Sequence, residues 1–280
     1  MQIEARARRG AQAAEAPGTA APARLLLFGP PRIELGARAL PASAWRAQRA
    51  FHLLILLALR PRGSSRDELL ETFWPGRQLA AGKRNFHPTF SYIRSVLPRH
   101  ATPPLLRDAE VYRLNPDYPL SCDAWEFDAA LDAARRERAG KERLEHLERA
   151  LSLAEQPALE GLYGDWAEEF RNRHRDRVQA ARVQAGSLRR SAGDLAGALD
   201  HFRRAAELDE FNEATRVCVI ECHAALGNRG AALAEYQRLR ADLKRSLDVD
   251  PLPETEDAVQ KVLGRAAANP PRAPQPQAVQ

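Results

Sequence analysis

The chain has 280 residues, 44% of them apolar, and a formal net charge of +5. This length suffices for one or two domains with a sizeable core, and the longest apolar run, residues 51–59, is well short of the about 18 residues that a membrane span needs. Three cysteines, an odd number, do not form a disulfide framework, and the first residues lack the apolar segment of a secretion signal. These features predict a cytoplasmic protein with no membrane association.

The charge is distributed unevenly along the chain. Residues 24–122 contain 15 Lys and Arg against 7 Asp and Glu, whereas residues 123–280 contain 24 against 28. A basic excess confined to about a hundred residues favours a polyanionic partner such as nucleic acid. A solvated basic surface without a partner is the alternative.

The chain also changes character near residue 122. Residues 1–23 and 266–280 are rich in Ala, Pro, Arg or Gln without periodicity, which predicts disordered tails. Short apolar runs and turn residues alternate in 24–122, while 123–265 has the period of α-helices almost throughout. We therefore predict one domain over 24–122 and a second, helical one over 123–265.

The first domain begins with two short strands, predicted at Leu25–Phe28 and Arg32–Leu35 between Gly and Pro residues. A helix follows, with Ser43 as its N-cap and Pro61 as its stop signal. These elements are typical of a small domain that mixes strands and helices.

A second helix begins at a capping box formed by Ser65 and Glu68, and a third lies in the segment GKRNFHPTFSYIRSVLP, residues 82–98. The later segment LLRDAEVYRLNP alternates like a β-hairpin with residues 108–110 at its tip. Strands, three helices and a terminal hairpin predict a winged helix-turn-helix.

The third helix raises a question because Pro88 lies within it. With Asn85 as N-cap, Pro88 occupies the third helical position, where its missing N–H has no intrahelical role. A longer helix that begins near Leu79 and carries Pro88 in its interior is the alternative. In either case an apolar stripe is expected to pack against the first two helices. It consists of Phe86, Phe90, Ile93 and Leu97.

The second domain contains a sequence repeat of 34 residues. This offset pairs Gly193 with Gly227, Ala198 with Ala232, Leu199 with Leu233 and Phe202 with Tyr236. The spacing is that of tetratricopeptide repeats, in which small residues allow paired helices to approach closely. Residues 143–153 match the second helix of an earlier, irregular repeat. We predict a mostly α protein with an N-terminal winged helix and a C-terminal helical repeat domain.

The chain resembles bacterial regulators of the SARP/AfsR type from residue 25 to residue 263. The resemblance is carried by FGPPRIELGARAL, LLILLALRPRGSSRDELLETFWP, KRNFHPTFSYIRSVL and AEYQRLRADLKRSLDVDPLPETEDAV. It implies an OmpR-type winged helix followed by a bacterial transcriptional activator domain. The expected function is a sequence-specific DNA-binding transcription regulator, an activator, with RNA polymerase or a homodimer partner at the repeats. A protein-interaction scaffold whose winged helix is a docking module is the alternative.

The helix face opposite the apolar stripe is predicted to enter the major groove of double-stranded promoter DNA. Lys83 and Arg84 would hold phosphates, His87, Ser91 and Arg94 would face the groove, and Arg107 or Arg113 would grip the backbone from the wing. The predicted DNA-binding residues are Lys83, Arg84, His87, Thr89, Ser91, Tyr92, Arg94, Arg107 and Arg113. The alternatives are an ion pair for Arg94, a spectator role for His87, packing against the wing for Tyr92 and a solvated loop for Lys83 and Arg84.

Nothing in the sequence forms a plausible catalytic constellation, so we predict no enzyme activity and no cofactor. A metal site could be suggested by Cys218, Cys222 and His223. Zinc, however, needs four ligands, and these usually include two closely spaced cysteines on a turn. These three residues lie where a repeat helix buries small side chains. We therefore predict that they pack in a core and bind no metal.

Overall fold

The computed structural model describes residues 22–268. The predicted disordered tails lie outside the described residues, except that Ala23 begins a strand and the last helix extends to Ala268. The chain forms two compact units. Among the described residues, one unit comprises residues 22–136 and 149–174, and the other comprises residues 137–148 and 175–268.

The described residues contain seven strands and ten α-helices. The strands are β1 Ala23–Leu26, β2 Arg32–Leu35, β3 Arg38–Pro41, β4 Ser64–Ser65, β5 Leu105–Asp108, β6 Val111–Leu114 and β7 Leu120–Cys122. The helices are α1 Gln48–Leu59, α2 Arg66–Phe73, α3 Leu79–Val96, α4 Asp123–Arg136, α5 Gly140–Leu153, α6 Asp165–Ser191, α7 Leu195–Leu208, α8 Glu213–Ala225, α9 Arg229–Leu247 and α10 Pro253–Ala268. This composition, with the strands confined to the first 122 residues, confirms the predicted fold class.

The first unit contains a four-stranded sheet in the order β3-β2-β1-β7. Strand β1 pairs antiparallel with β2 and parallel with β7. The second predicted strand is confirmed at Arg32–Leu35, while the first lies two residues earlier than predicted.

Helix α1 begins later than predicted, so the assignment of Ser43 as its N-cap is wrong. Ser43 lies in a separate 3₁₀ turn, and Ala47 precedes the first helical residue without a side-chain cap. Between them Trp45 adopts an extended backbone, and its buried ring stacks on Phe51 at 4.9 Å. Burial of this large side chain outweighs the local preference of Ser for a cap.

Helices α1, α2 and α3 pack together beside a small three-stranded sheet in the order β4-β6-β5. The capping box of α2 is confirmed, because the Ser65 hydroxyl accepts from the Glu68 N–H and the Glu68 carboxylate accepts from the Ser65 N–H. Strands β5 and β6 form the predicted hairpin, in which Asp108 pairs with Val111. This hairpin, residues 105–114, is the wing. These elements make up a winged helix-turn-helix.

The second unit contains the predicted repeat. Helix α8 packs against α7, α9 and α10. Gly193 and Gly227 both have a positive φ, near 80°, and end the helices that precede them. The alanines of the repeat, Ala198 and Ala232, are fully buried. These two pairs follow the 34-residue register, whereas Leu233 is 43% exposed and Tyr236 is half-buried while Phe202 is fully buried. In the described part of the chain, no helix has the length and apolar character to span a membrane.

Candidate nucleic-acid interface

Helix α3 carries most of the predicted DNA-binding residues, and it begins earlier than our first prediction. It runs from Leu79 to Val96 after a 3₁₀ turn at Gly76–Gln78, so Asn85 is an interior residue and the prediction of an N-cap there is wrong. The alternative, a longer helix with Pro88 inside it, is correct. Pro88 has no N–H to donate to the Arg84 carbonyl, which is the bond that a regular helix would make at this point.

The apolar stripe fixes the rotation of α3 about its axis. Phe86, Phe90, Ile93 and Leu97 are all at most 2% exposed, as predicted. The ring of Phe86 lies 5.0 Å from that of Phe90 and 5.1 Å from that of Tyr112 in the wing. Because this stripe faces the interior, the opposite side of the helix faces solvent.

A close contact also fixes the first turns of α3. Gly82 lies so near the preceding segment that a Cβ atom placed on it would be 2.6 Å from Cβ and 2.7 Å from Cγ of Trp74. Real Cβ atoms do not approach other atoms so closely, so the helix passes Trp74 only because residue 82 has no side chain.

The exposed side of α3 is polar and cationic. Within a helix, the side chains of Lys83, Arg84, His87, Ser91 and Arg94 project into an arc of about 100°, and all five are exposed. The helix contains no Asp or Glu. Among the described residues, no carboxylate pairs with its three cations. The structure thus brings these five predicted residues together on one face.

Thr89 and Tyr92 lie outside this face. Thr89 is buried, and its hydroxyl donates to the Asn85 carbonyl at 2.7 Å. Tyr92 is half-buried; its hydroxyl accepts from the Arg46 N–H at 3.1 Å and its ring lies against Trp45 at 5.9 Å. Tyr92 therefore packs against the segment that precedes α1 rather than against the wing. A direct contact with DNA by either residue remains a prediction.

The wing holds its two predicted cations in different settings. Arg107 is exposed, yet its Nε donates to the Ala109 carbonyl and its Nη2 to the Glu110 carboxylate, both at 2.8 Å. Arg113 is half-buried. The two side chains are therefore not equivalent candidates for a phosphate contact.

Three further arginines, which the sequence analysis did not predict as DNA-binding residues, border α3. Arg46 is exposed and joined to Tyr92 through its backbone. Arg49 lies over the Trp74 ring at 5.7 Å, and the guanidinium of Arg66 lies over the Phe86 ring at 5.5 Å. These residues are 20 or more positions from the aromatic residues they meet, so no local spacing in the sequence could indicate them.

The segment after α3 is also held in place. Tyr118 is buried and its hydroxyl donates to the Pro98 carbonyl at 2.8 Å. Burial raises the pKa of this phenol to about 12, so it remains a hydrogen-bond donor at any physiological pH.

The cysteines of α8 belong to a core and not to a metal site. Cys222 is fully buried in a cluster with Ala198, Phe202 and Val219, and Cys218 packs against this cluster. Burial raises the pKa of the Cys222 thiol to about 11, as expected for a cysteine packed in a core. The described residues contain no group of three or more His, Cys, Asp or Glu side chains placed to hold a metal ion.

Comparisons with known proteins bear on the family and the fold. Residues 122–263 match the family described as "BTAD: Bacterial transcriptional activator domain". No curated protein matches the sequence. The fold is similar to that of a solved structure described as "Mycobacterium tuberculosis EmbR in complex with low affinity phosphopeptide", with a TM-score of 0.72 and 19% identity. The similarity covers 87% of this chain and 65% of the EmbR chain, so the chain spans about two thirds of the length of that protein.

The family match covers just over half of the chain, and the EmbR-like fold extends the similarity to the winged helix. The family is described as a transcriptional activator domain, which supports a regulatory and not an enzymatic role. The chain belongs to the bacterial transcriptional activator domain family, which agrees with the resemblance to regulators of the SARP/AfsR type.

Proposed function

We propose that the chain binds double-stranded promoter DNA sequence-specifically through α3 and activates transcription. The observation that carries this proposal is the exposed face of α3, where three cations that pair with no carboxylate in the described part of the chain surround His87 and Ser91. A major groove admits one α-helix, and its phosphates flank the inserted helix on both sides.

The length of α3 refines the proposed roles of its residues. Lys83 and Arg84 lie within the helix, one turn before His87, and their long side chains can reach phosphates on the rims of the groove. His87 and Ser91 are shorter and would meet base edges. Arg94, two turns after His87 on the same side, can reach either a base or a phosphate. The contacts of Thr89 and Tyr92 favour a supporting role for both.

The proposed partners follow from the two-part organisation of the chain. We propose that residues 24–122 act as the DNA-binding domain and that residues 123–265 contact RNA polymerase or a second copy of the chain. A single winged helix reads few base pairs, so two copies on half-sites about one helical turn apart would add specificity. Such a regulator would act in the cytoplasm, at the nucleoid. The phosphopeptide in the EmbR structure is a ligand of that protein.

Salt titrations of DNA affinity test the proposal, on a duplex from the promoter of a neighbouring gene and on a scrambled duplex. Lys83→Ala and Arg84→Ala should weaken binding to both duplexes alike and lower the salt slope by about one unit each. His87→Ala and Arg94→Ala should cost about 1–3 kcal/mol on the promoter duplex and little on the scrambled one. Lys261→Ala, which removes an exposed cation from α10, is the control.

The possible outcomes separate the parts of the proposal. Equal losses for all four α3 variants on both duplexes would mean that α3 only grips the backbone and that another element reads the sequence. Binding that does not depend on sequence or salt would exclude the proposed function and favour a docking role for the winged helix.

A further inference from the structure

The wing differs from α3 in its charge. Residues 105–114 contain Arg107, Asp108, Glu110 and Arg113, so the hairpin has no net charge. Helix α3 carries three cations and no acid. Of these two elements, α3 therefore supplies the electrostatic attraction to DNA, and the tip of the wing presents two carboxylates to any approaching phosphate.

Arg107 is already occupied by contacts within the wing. It makes an ion pair of 2.8 Å with Glu110, it donates to the Ala109 carbonyl, and its guanidinium lies 5.6 Å over the Tyr112 ring. Together these three contacts orient the guanidinium along the hairpin. A phosphate would have to displace Glu110 to bind it.

Glu110 is fixed from the backbone side as well. Its carbonyl accepts from the Arg66 N–H at 3.0 Å, which joins the tip of the wing to the start of α2. The next residue along the chain, Val111, pairs with Ser65 in β4. An ordinary exposed ion pair must order two free side chains, which offsets most of its attraction. In this wing the backbone of Glu110 and the guanidinium of Arg107 are each held by further contacts, so less side-chain freedom is lost when they pair.

We propose that Glu110 withholds Arg107 from the DNA backbone and thereby lowers the affinity of the winged helix for DNA of arbitrary sequence. The inference rests on the proposed DNA-binding function and adds a residue that sets its selectivity. A free arginine on the wing would contact phosphates on any duplex and would retain the protein at non-specific sites. With Arg107 paired, binding depends on the face of α3, where bases can be read.

The expected size of the effect follows from the counterions that one phosphate contact releases. One additional contact steepens the salt dependence by about 0.9 unit, which corresponds to about an eightfold gain in affinity at 0.1 M salt. The gain should be the same on promoter and scrambled duplexes, because phosphates carry no sequence information.

Four variants of the full chain test the inference: Glu110→Gln, Arg107→Gln, the double variant and Glu71→Gln. Glu71 is an exposed acid on α2 with no ion pair among the described residues, so its replacement removes the same charge without releasing an arginine. The measurement is affinity against salt on both duplexes. We expect Glu110→Gln to bind both duplexes about eightfold more tightly than Glu71→Gln at 0.1 M salt, and we expect the double variant to lose this gain. Arg107→Gln alone should leave the salt slope unchanged.

Two results would overturn the inference. One is identical binding by Glu110→Gln and Glu71→Gln, and the other is a loss of about one unit of salt slope in Arg107→Gln alone, which would place Arg107 on a phosphate in the native protein. Elution from immobilised heparin, a polyanion without bases, provides a second measurement. If the native chain binds no duplex, the proposed function fails, and heparin still decides whether Glu110 withholds Arg107 from a polyanion. Later elution of Glu110→Gln than of Glu71→Gln supports this withholding, and equal elution overturns it.

Discussion

Replacement of Gly82 by alanine tests the position of α3 most directly. A glycine in a helix interior is less favourable than alanine by about 1 kcal/mol, so the local preference alone predicts a gain in stability. In this structure the added Cβ would lie 2.6 Å from Cβ and 2.7 Å from Cγ of Trp74, and 3.1 Å from Cδ2 of Leu70. The sign of the effect therefore depends on whether Trp74 can move.

Trp74 has little freedom to move. The residue is 1% exposed, its backbone N–H donates to the Leu70 carbonyl at 2.8 Å, and Arg49 lies over its ring. Rotation of the ring does not relieve a contact with Cβ, which is bonded to the backbone. Overpacking of this kind costs about 1–3 kcal/mol. After the propensity gain of about 1 kcal/mol is subtracted, we expect Gly82→Ala to destabilise the first unit by up to about 2 kcal/mol.

Urea and thermal unfolding of the full chain provide the measurement. A loss of 1 kcal/mol should lower the Tm of a unit of this size by about 2–4 °C. Gly264→Ala is the matched control, because Gly264 lies in α10 with no atom near the position of its missing Cβ. It should stabilise the chain by up to about 1 kcal/mol. A gain in stability for Gly82→Ala as well would show that α3 does not pass Trp74, and would favour a helix that begins at Asn85.

Three further predictions concern the second unit. Gly186→Ala should destabilise it by about 1–2 kcal/mol despite the better helix propensity, because the new Cβ would lie 2.9 Å from the Phe202 ring; a higher Tm would refute the packing of that ring. Tyr236→Ala should cost about 2 kcal/mol in urea unfolding, since the ring packs against a buried cluster but is only half-buried, and an unchanged midpoint would contradict its place in the repeat. Burial and the neighbouring Arg203 lower the pKa of His223, so its contribution to stability is complete above about pH 6.5 and is lost as the pH falls through the lowered pKa. His223→Gln should therefore reduce the loss of stability between pH 7 and pH 5, and an identical pH profile in both proteins would exclude this role.

Local patterns in the sequence were sufficient to predict most of the elements. The capping box at Ser65 depends on residues three positions apart, and the stripe from Phe86 to Leu97 depends on the helical period. The 34-residue offset between Gly193 and Gly227 identified the repeat for the same reason, since each repeat is a local unit copied along the chain. Features of this kind can be predicted without knowing which distant residues lie nearby in the fold.

The candidate interface was predicted only in part. Lys83, Arg84, His87, Ser91 and Arg94 share one exposed face, although a helix capped at Asn85 would have left Lys83 and Arg84 outside it. Arg46, Arg49 and Arg66 border α3 only because α1 and α2 fold against it. The pairing of Arg107 with Glu110 arises from the turn that brings the two strands of the wing together.

The sequence by itself determined the fold class, the order of the two parts and the family resemblance, because these depend on periodicity, turn residues and composition over short distances. Only the tertiary structure decided where α3 begins and which of its neighbours surround its exposed face. The local rules favoured Asn85 as a cap and Ser43 as another, and each rule describes a preference of about 1 kcal/mol. Burial of Trp74 and Trp45 among distant residues outweighs such preferences, because a large aromatic side chain removes far more apolar surface from water than one cap can offset.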